Sequence, residues 1–195
     1  MESQSDNRVS TVDERGSKGS RTVSICELIL RVLALLLTLA AAIVLGLGKQ
    51  TKVVPIQITP TSPLINVAVH AKWHYLSAFV YSMVSNIIAS LYAAISILIL
   101  LGTRYGKREL SQIIIVLDLL MVALLFSANG AAMAIGLMGY KGNSHVQWNK
   151  VCNVFERFCH QVAISIVLSL VGSLVFMALV ALAALTLHKS FATRN

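Results

Sequence analysis

The sequence predicts an all-α membrane protein, a bundle of four transmembrane helices, and three observations carry that expectation. Of the 195 residues, 56% are hydrophobic and only 12% are charged, about half the charged share of a soluble domain. The mean hydropathy is +0.77. The apolar residues also gather in four blocks, each longer than the ~20 residues a helix needs to cross hydrocarbon. A soluble enzyme, a disordered chain and a disulfide-knotted secreted module are thereby excluded. Membrane barrels show short alternating segments, so helices are expected rather than strands. The net charge is +8 and the pI about 9.7. Because most basic residues flank apolar blocks, they suit membrane lipids and not nucleic acid.

Residues 1–24 are polar and mixed in charge, which predicts a disordered cytosolic tail. The first apolar block begins too late and runs too long for a signal peptide. Span one is expected at 25–47, span two at 76–101, span three at 111–138 and span four at 162–187. Outer loops of 48–75 and 139–161, an inner loop of 102–110 and a cytosolic C-terminal tail of 188–195 complete the division. Pro55, Pro60 and Pro63 stand amid β-branched residues, so that loop should be extended, with a short strand pair as one form. Lys72, Trp73, His74 and Tyr75 follow as a basic anchor and aromatic belt. His70 and His74 are spaced for a metal, but no Cys, Asp or Glu stands nearby, so no metal site is assigned.

Four spans put both termini on one side. The tails and inner loop hold nine Lys/Arg in 41 residues, against six in 51 for the outer loops. That bias predicts cytosolic N- and C-termini.

Glu27, Arg31 and Asp118 are the only charged side chains inside the spans. At about 1.5 Å per residue, Arg31 lies about 9 Å into span one and Asp118 about 10 Å into span three. Those spans run in the same direction, so the two charges are level. A lone charge in lipid costs several kcal/mol, and such residues usually face inward and pair. An Arg31–Asp118 ion pair is expected, and Glu27, one turn before Arg31, can share it. The alternatives are an Arg31 that snorkels beside a neutral Asp118, or a proton or ion pathway.

Small residues recur at four-residue spacing: Ala34, Thr38, Ala42 and Gly46 in span one; Ser82, Asn86, Ser90 and Ala94 in span two; Ala128, Ala132 and Gly136 in span three; Ser165, Ser169 and Ser173 in span four. Such stripes permit close helix approach, in a tight bundle, an oligomer or both. Asn86 and Asn129 are expected to hydrogen-bond inside the bundle. Cys152 and Cys159 can oxidise together if their loop faces the exterior. Seven residues of continuous helix would hold their Cα atoms about 10 Å apart, beyond disulfide reach, so the bridge requires a helix break. Cys26 is expected as a buried free thiol, with palmitoylation as the other reading. No P-loop, HExxH, GxSxG or GxGxxG motif occurs, so no catalytic residue, cofactor or metal is assigned.

The Arg in span one (LILRVLAL, Arg31) and the Asp in span three (IIIVLDLLM, Asp118) resemble the plant Casparian strip membrane domain protein-like (CASP-like) family. The run AKWHYLSAFVYSMVSNIIASLYA, Ala71 to Ala93, looks like subfamily 1, and the pattern of Trp148, Cys152, Phe155 and Cys159 is similar too. The resemblance covers about Ser24 to His188. It implies a plasma-membrane tetraspan related to MARVEL proteins. It also implies partners: the chain itself and other CASP-like proteins, as homo- and heterodimers, with cell-wall-modifying enzymes as recruited cargo. Founding members carry a first-loop signature resembling ESLPFFTQF, where this chain has VVPIQITPTSPLINVAV. The implied role is a membrane scaffold; the alternative is a small channel or transporter using Asp118.

Overall fold

A computed structural model describes residues 3–56, 65–102, 108–142 and 150–192. Its helices are α1 (Ser3–Gly46), α2 (Ser77–Gly102), α3 (Arg108–Lys141) and α4 (Glu156–Ala192). Each contains a stretch long and apolar enough to cross a membrane: Ser24–Gly46, Ser77–Gly102, Gln112–Lys141 and Glu156–Leu187. Each helix packs against two others, α1 on α2 and α4, and α3 on the same two. Sequential neighbours are antiparallel. Early in the α1 span Arg31 meets Ser96 near the end of α2, while Gly46 at its end faces Met83 near the start of α2. Likewise Ser165 reaches Ala41, and Gly172, farther along α4, abuts Thr38.

Strands β1 (Lys49–Ile56) and β2 (Ile65–Lys72) join α1 to α2 as an antiparallel pair, in register from Lys49↔Lys72 to Ile56↔Ile65. Pro55 sits near the end of β1, in the only sheet among the described residues, an edge position where its missing N–H is tolerated. Pro60 and Pro63 lie outside the described residues. A 3-10 turn, Trp73–Tyr75, then leads into α2. The hairpin is tied to the bundle at Gln50, whose Oε1 accepts from the Phe158 backbone N–H at 3.1 Å, and Val69 and Ala71 of β2 pack on the nearby apolar cluster. Phe158 lies in the first turn of α4, where backbone donors have no intrahelical acceptor.

Two apolar clusters fill the interior. One joins Ala34, Ala89, Ala93, Leu125, Val175, Phe176 and Leu179. The other, next to the hairpin, joins Leu45, Phe79, Ala132, Phe155, Phe158 and Val162. Outward faces carry Ile29, Leu36, Leu91, Val116, Leu120 and Val171, all exposed. Water would not tolerate a continuous surface of this kind; lipid chains cover it.

Several boundaries differ from expectation. Residues 3–24, read as part of a disordered tail, form the first part of α1. A helix nucleated by the span gains one hydrogen bond per added residue, and no proline interrupts residues 3–24. α4 begins at Glu156 rather than 162 and runs on to Ala192, through residues assigned to the C-terminal tail. Arg108 to Leu110, read as inner loop, already belong to α3, which continues to Lys141. Hydropathy locates only the apolar part of a helix, and polar turns can extend it beyond the bilayer. Glu156 in the first turn of α4 complements the positive end of the helix dipole.

Candidate functional site

The side chain of Arg31 is 2% exposed and that of Asp118 is 1% exposed, both well inside the bundle. Their contact is bidentate: Arg31 Nη2 donates to Asp118 Oδ2 at 3.0 Å and Nη1 to Oδ1 at 3.2 Å. Glu27 is the third member. Its Oε1 accepts from Arg31 Nη2 at 3.0 Å and from Nε at 3.3 Å. One α-helical turn separates the two on α1, the spacing that lets side chains meet.

α2 supplies two residues that the sequence did not single out. Ser96 Oγ accepts from Arg31 Nη1 at 3.0 Å and passes its own hydrogen to the Ala93 carbonyl at 2.9 Å. Tyr92 donates to Asp118 Oδ1 at 2.7 Å, with the Ile114 carbonyl a longer acceptor at 3.2 Å. A signal for them exists in the sequence. A tyrosine hydroxyl within a span must find a partner, and Tyr92 and Ser96 are one turn apart on the same antiparallel neighbour.

A guanidinium has five N–H donors in a fixed fork. Here Glu27 takes one from Nε and one from Nη2, Asp118 one from each terminal nitrogen, and Ser96 the last. The formal balance is one positive against two negative charges. The excess negative charge is on Glu27, whose side chain is 32% exposed. Asp118 accepts three bonds, two at Oδ1 and one at Oδ2, of the roughly four a carboxylate can take, so it serves the cluster as an acceptor. Removing one member of such a pair is costly because the other is left charged and buried.

At the hairpin end, Cys152 and Cys159 form a disulfide with Cα atoms 5.6 Å apart. The required break is present. Cys152 lies in a turn before α4, and Cys159 in its first turns. The Gly139 carbonyl at the end of α3 accepts from the N–H groups of Val151 and Cys152, which holds that turn against α3. Trp148 lies outside the described residues. Cys26 is free and exposed, not buried; it is roughly 140° around α1 from Arg31 at 3.6 residues per turn. His70 Nδ1 is 2.8 Å from Thr51 Oγ1.

The small-residue stripes face inward. Ala34, Thr38 and Ala42 are buried on α1; Ser82, Asn86 and Ser90 on α2; Ala128 and Ala132 on α3; Ser165, Ser169 and Ser173 on α4. Gly46 accommodates Met83: an added Cβ would lie 3.0 Å from its Cε. Asn86 bonds only within its own helix, from Nδ2 to the Ser82 carbonyl at 2.8 Å. Asn86 thus bonds inside the bundle as expected, whereas Asn129 meets no hydrogen-bond partner, contrary to that expectation. Both are buried in the bundle interior.

Residues 20–175 match the family model of the Casparian strip membrane protein domain. The chain is 65% identical to CASP-like protein 1E1 of Populus trichocarpa over 170 residues, covering 87% of this chain and 86% of the relative. It is 60% identical to CASP-like protein 1E1 of Ricinus communis over 96% of this chain and 98% of that one. CASP-like protein 1E2 of Vitis vinifera is 60% identical over 84% of each chain. No solved structure matches. The chain therefore belongs to the CASP-like family of multi-pass membrane proteins, within subfamily 1.

Proposed function

We propose that this CASP-like protein is a non-enzymatic scaffold of the plasma membrane. It assembles with copies of itself and with other CASP-like chains, and it organises a membrane domain linked to local cell-wall modification. Both termini are cytosolic. The observation that carries this reading is the closed interior. The Arg31 cluster and two apolar clusters block the bundle in succession, which leaves the outer surfaces as the working parts. The topology has two supports. The basic bias favours the termini on the cytosolic side, and the Cys152–Cys159 bridge belongs in an oxidising exterior.

Photobleaching of a fluorescent fusion, with crosslinking in native membranes, tests the proposal. Slow recovery in a patterned zone and recovery of self and CASP-like neighbours are expected. Free diffusion across the whole membrane without crosslinked neighbours overturns it. The competing reading, a channel using Asp118, requires reconstituted flux that Asp118→Asn abolishes.

A further inference from the structure

The two apolar clusters are separated on every helix by small or polar side chains. Between Ala34 and Leu45 on α1 the buried residues are Thr38, Ala41 and Ala42. Between Phe79 and Ala89 on α2 lie Ser82, Ser85 and Asn86; between Leu125 and Ala132 on α3 lie Ala128 and Asn129. Between Val162 and Val175 on α4 lie Ser165, Ser169 and Ser173. The four sets form one polar slab in mid-bundle. No buried side chain in it is as large as leucine.

Part of the slab is internally satisfied. Thr38 donates to the Ala34 carbonyl, Ser165 to Ala41 and Ser173 to Leu170. Among the described residues five buried side-chain atoms have no partner: Ser85 Oγ, Asn86 Oδ1, Asn129 Nδ2 and Oδ1, and Ser169 Oγ. All five belong to the slab, on α2, α3 and α4. Asn86 is 0% exposed and Asn129 1%. Leaving a buried polar group unbonded is costly in hydrocarbon surroundings, where no bulk water can satisfy it.

The chemistry of the unmatched atoms selects the guest. They include donors, the Asn129 amide hydrogens and two hydroxyls, as well as acceptors, the two amide oxygens. A cation would want acceptors alone and a carboxylate, and the slab has no Asp or Glu. An anion would want Lys or Arg, and the slab has neither. Leu125 and Phe176 of the first apolar cluster lie between it and the ionised groups. A small neutral molecule that both donates and accepts fits, and a water making two to four hydrogen bonds is the smallest.

We propose that the slab is an internal hydration site, with water bridging Asn129 to Asn86, Ser85 and Ser169. Apolar clusters on both sides separate it from both ends of the bundle, so it is not a conduction path. The site is independent of the scaffold reading and its test requires no assembly.

The full-length protein, reconstituted in nanodiscs with 15N-asparagine, provides the test. Cross-relaxation between water and the side-chain NH2 groups is read directly. Asn86→Ser and Asn129→Ser, which keep small polar side chains, assign the two resonances. Water cross-peaks to the Asn129 NH2 that persist at millisecond mixing times are expected. An Asn129 NH2 with cross-peaks to protein protons alone overturns the site. Thermal unfolding gives a second readout. In a hydrated site Asn129→Leu strands the water and lowers the apparent midpoint by a few degrees; in a dry one it removes an unmatched amide, and a raised midpoint overturns the proposal.

Discussion

At Arg31 every N–H donor meets an acceptor, whereas at Asn129 neither amide atom meets one. Both groups are buried in the same bundle, and both are polar. The difference lies in reach. Arg31 and Tyr92 are long, so side chains from α1 and α2 converge on the α3 carboxylate and close a network across three helices. The slab consists of serines, alanines, one threonine and two asparagines, and most of its hydrogen bonds stay within one helix, as the Asn86 bond to Ser82 illustrates; Ser165, which reaches the Ala41 carbonyl of α1, is the exception among the bonds described. Long polar side chains clasp helices directly. Short ones bring backbones close and leave their polar tips to a third party.

The largest effect comes from opening the clasp. Asp118→Ala leaves Arg31 with Ser96 and a partly exposed Glu27 as its remaining partners, and a loss of about 3–5 kcal/mol is expected, read as lost expression or thermal stability in detergent. The exchange Arg31→Asp with Asp118→Arg should express better than either single variant. It recovers more in a Glu27→Gln background, because Glu27 would otherwise face the new aspartate. Equal failure of the exchange and the single variants would refute the pairing.

Tyr92→Phe removes one hydrogen bond to a charged acceptor while keeping the ring. A loss of roughly 1.5–3 kcal/mol is expected, and chemical denaturation should rank it below Asp118→Ala. Reducing Cys152–Cys159 opens a short loop at the other end, worth about 2 kcal/mol. Its midpoint shift should add to that of Tyr92→Phe, since distant sites are nearly independent.

Helix contact is sharpened by two glycines. A Cβ on Gly172 would lie 3.2 Å from Thr38 Cγ2 and 3.6 Å from Leu37 Cβ, whereas one on Gly130 would meet nothing within 4 Å. Gly172→Leu should cost about 1–3 kcal/mol through overpacking. Gly130→Ala should be neutral or gain a few tenths of a kcal/mol, roughly the scale of helix propensity. Thermal midpoints of the pair, measured side by side, check the contrast.

Along the chain, hydropathy counts the spans and the rise per residue sets depth. Both bring Arg31 and Asp118 to one level without any structure. Rotation about each helix axis has no such ruler, so it took the packed bundle to show that Tyr92 and Ser96 from the intervening α2 join them. The same limit explains Cys26, which turns outward, and Asn129, which is level with polar neighbours yet out of their reach. Helix ends were the least readable, because hydropathy reports the solvent of a residue and hydrogen bonding decides where a helix stops. Cys152 and Cys159 can meet because α4 starts between them, at Glu156.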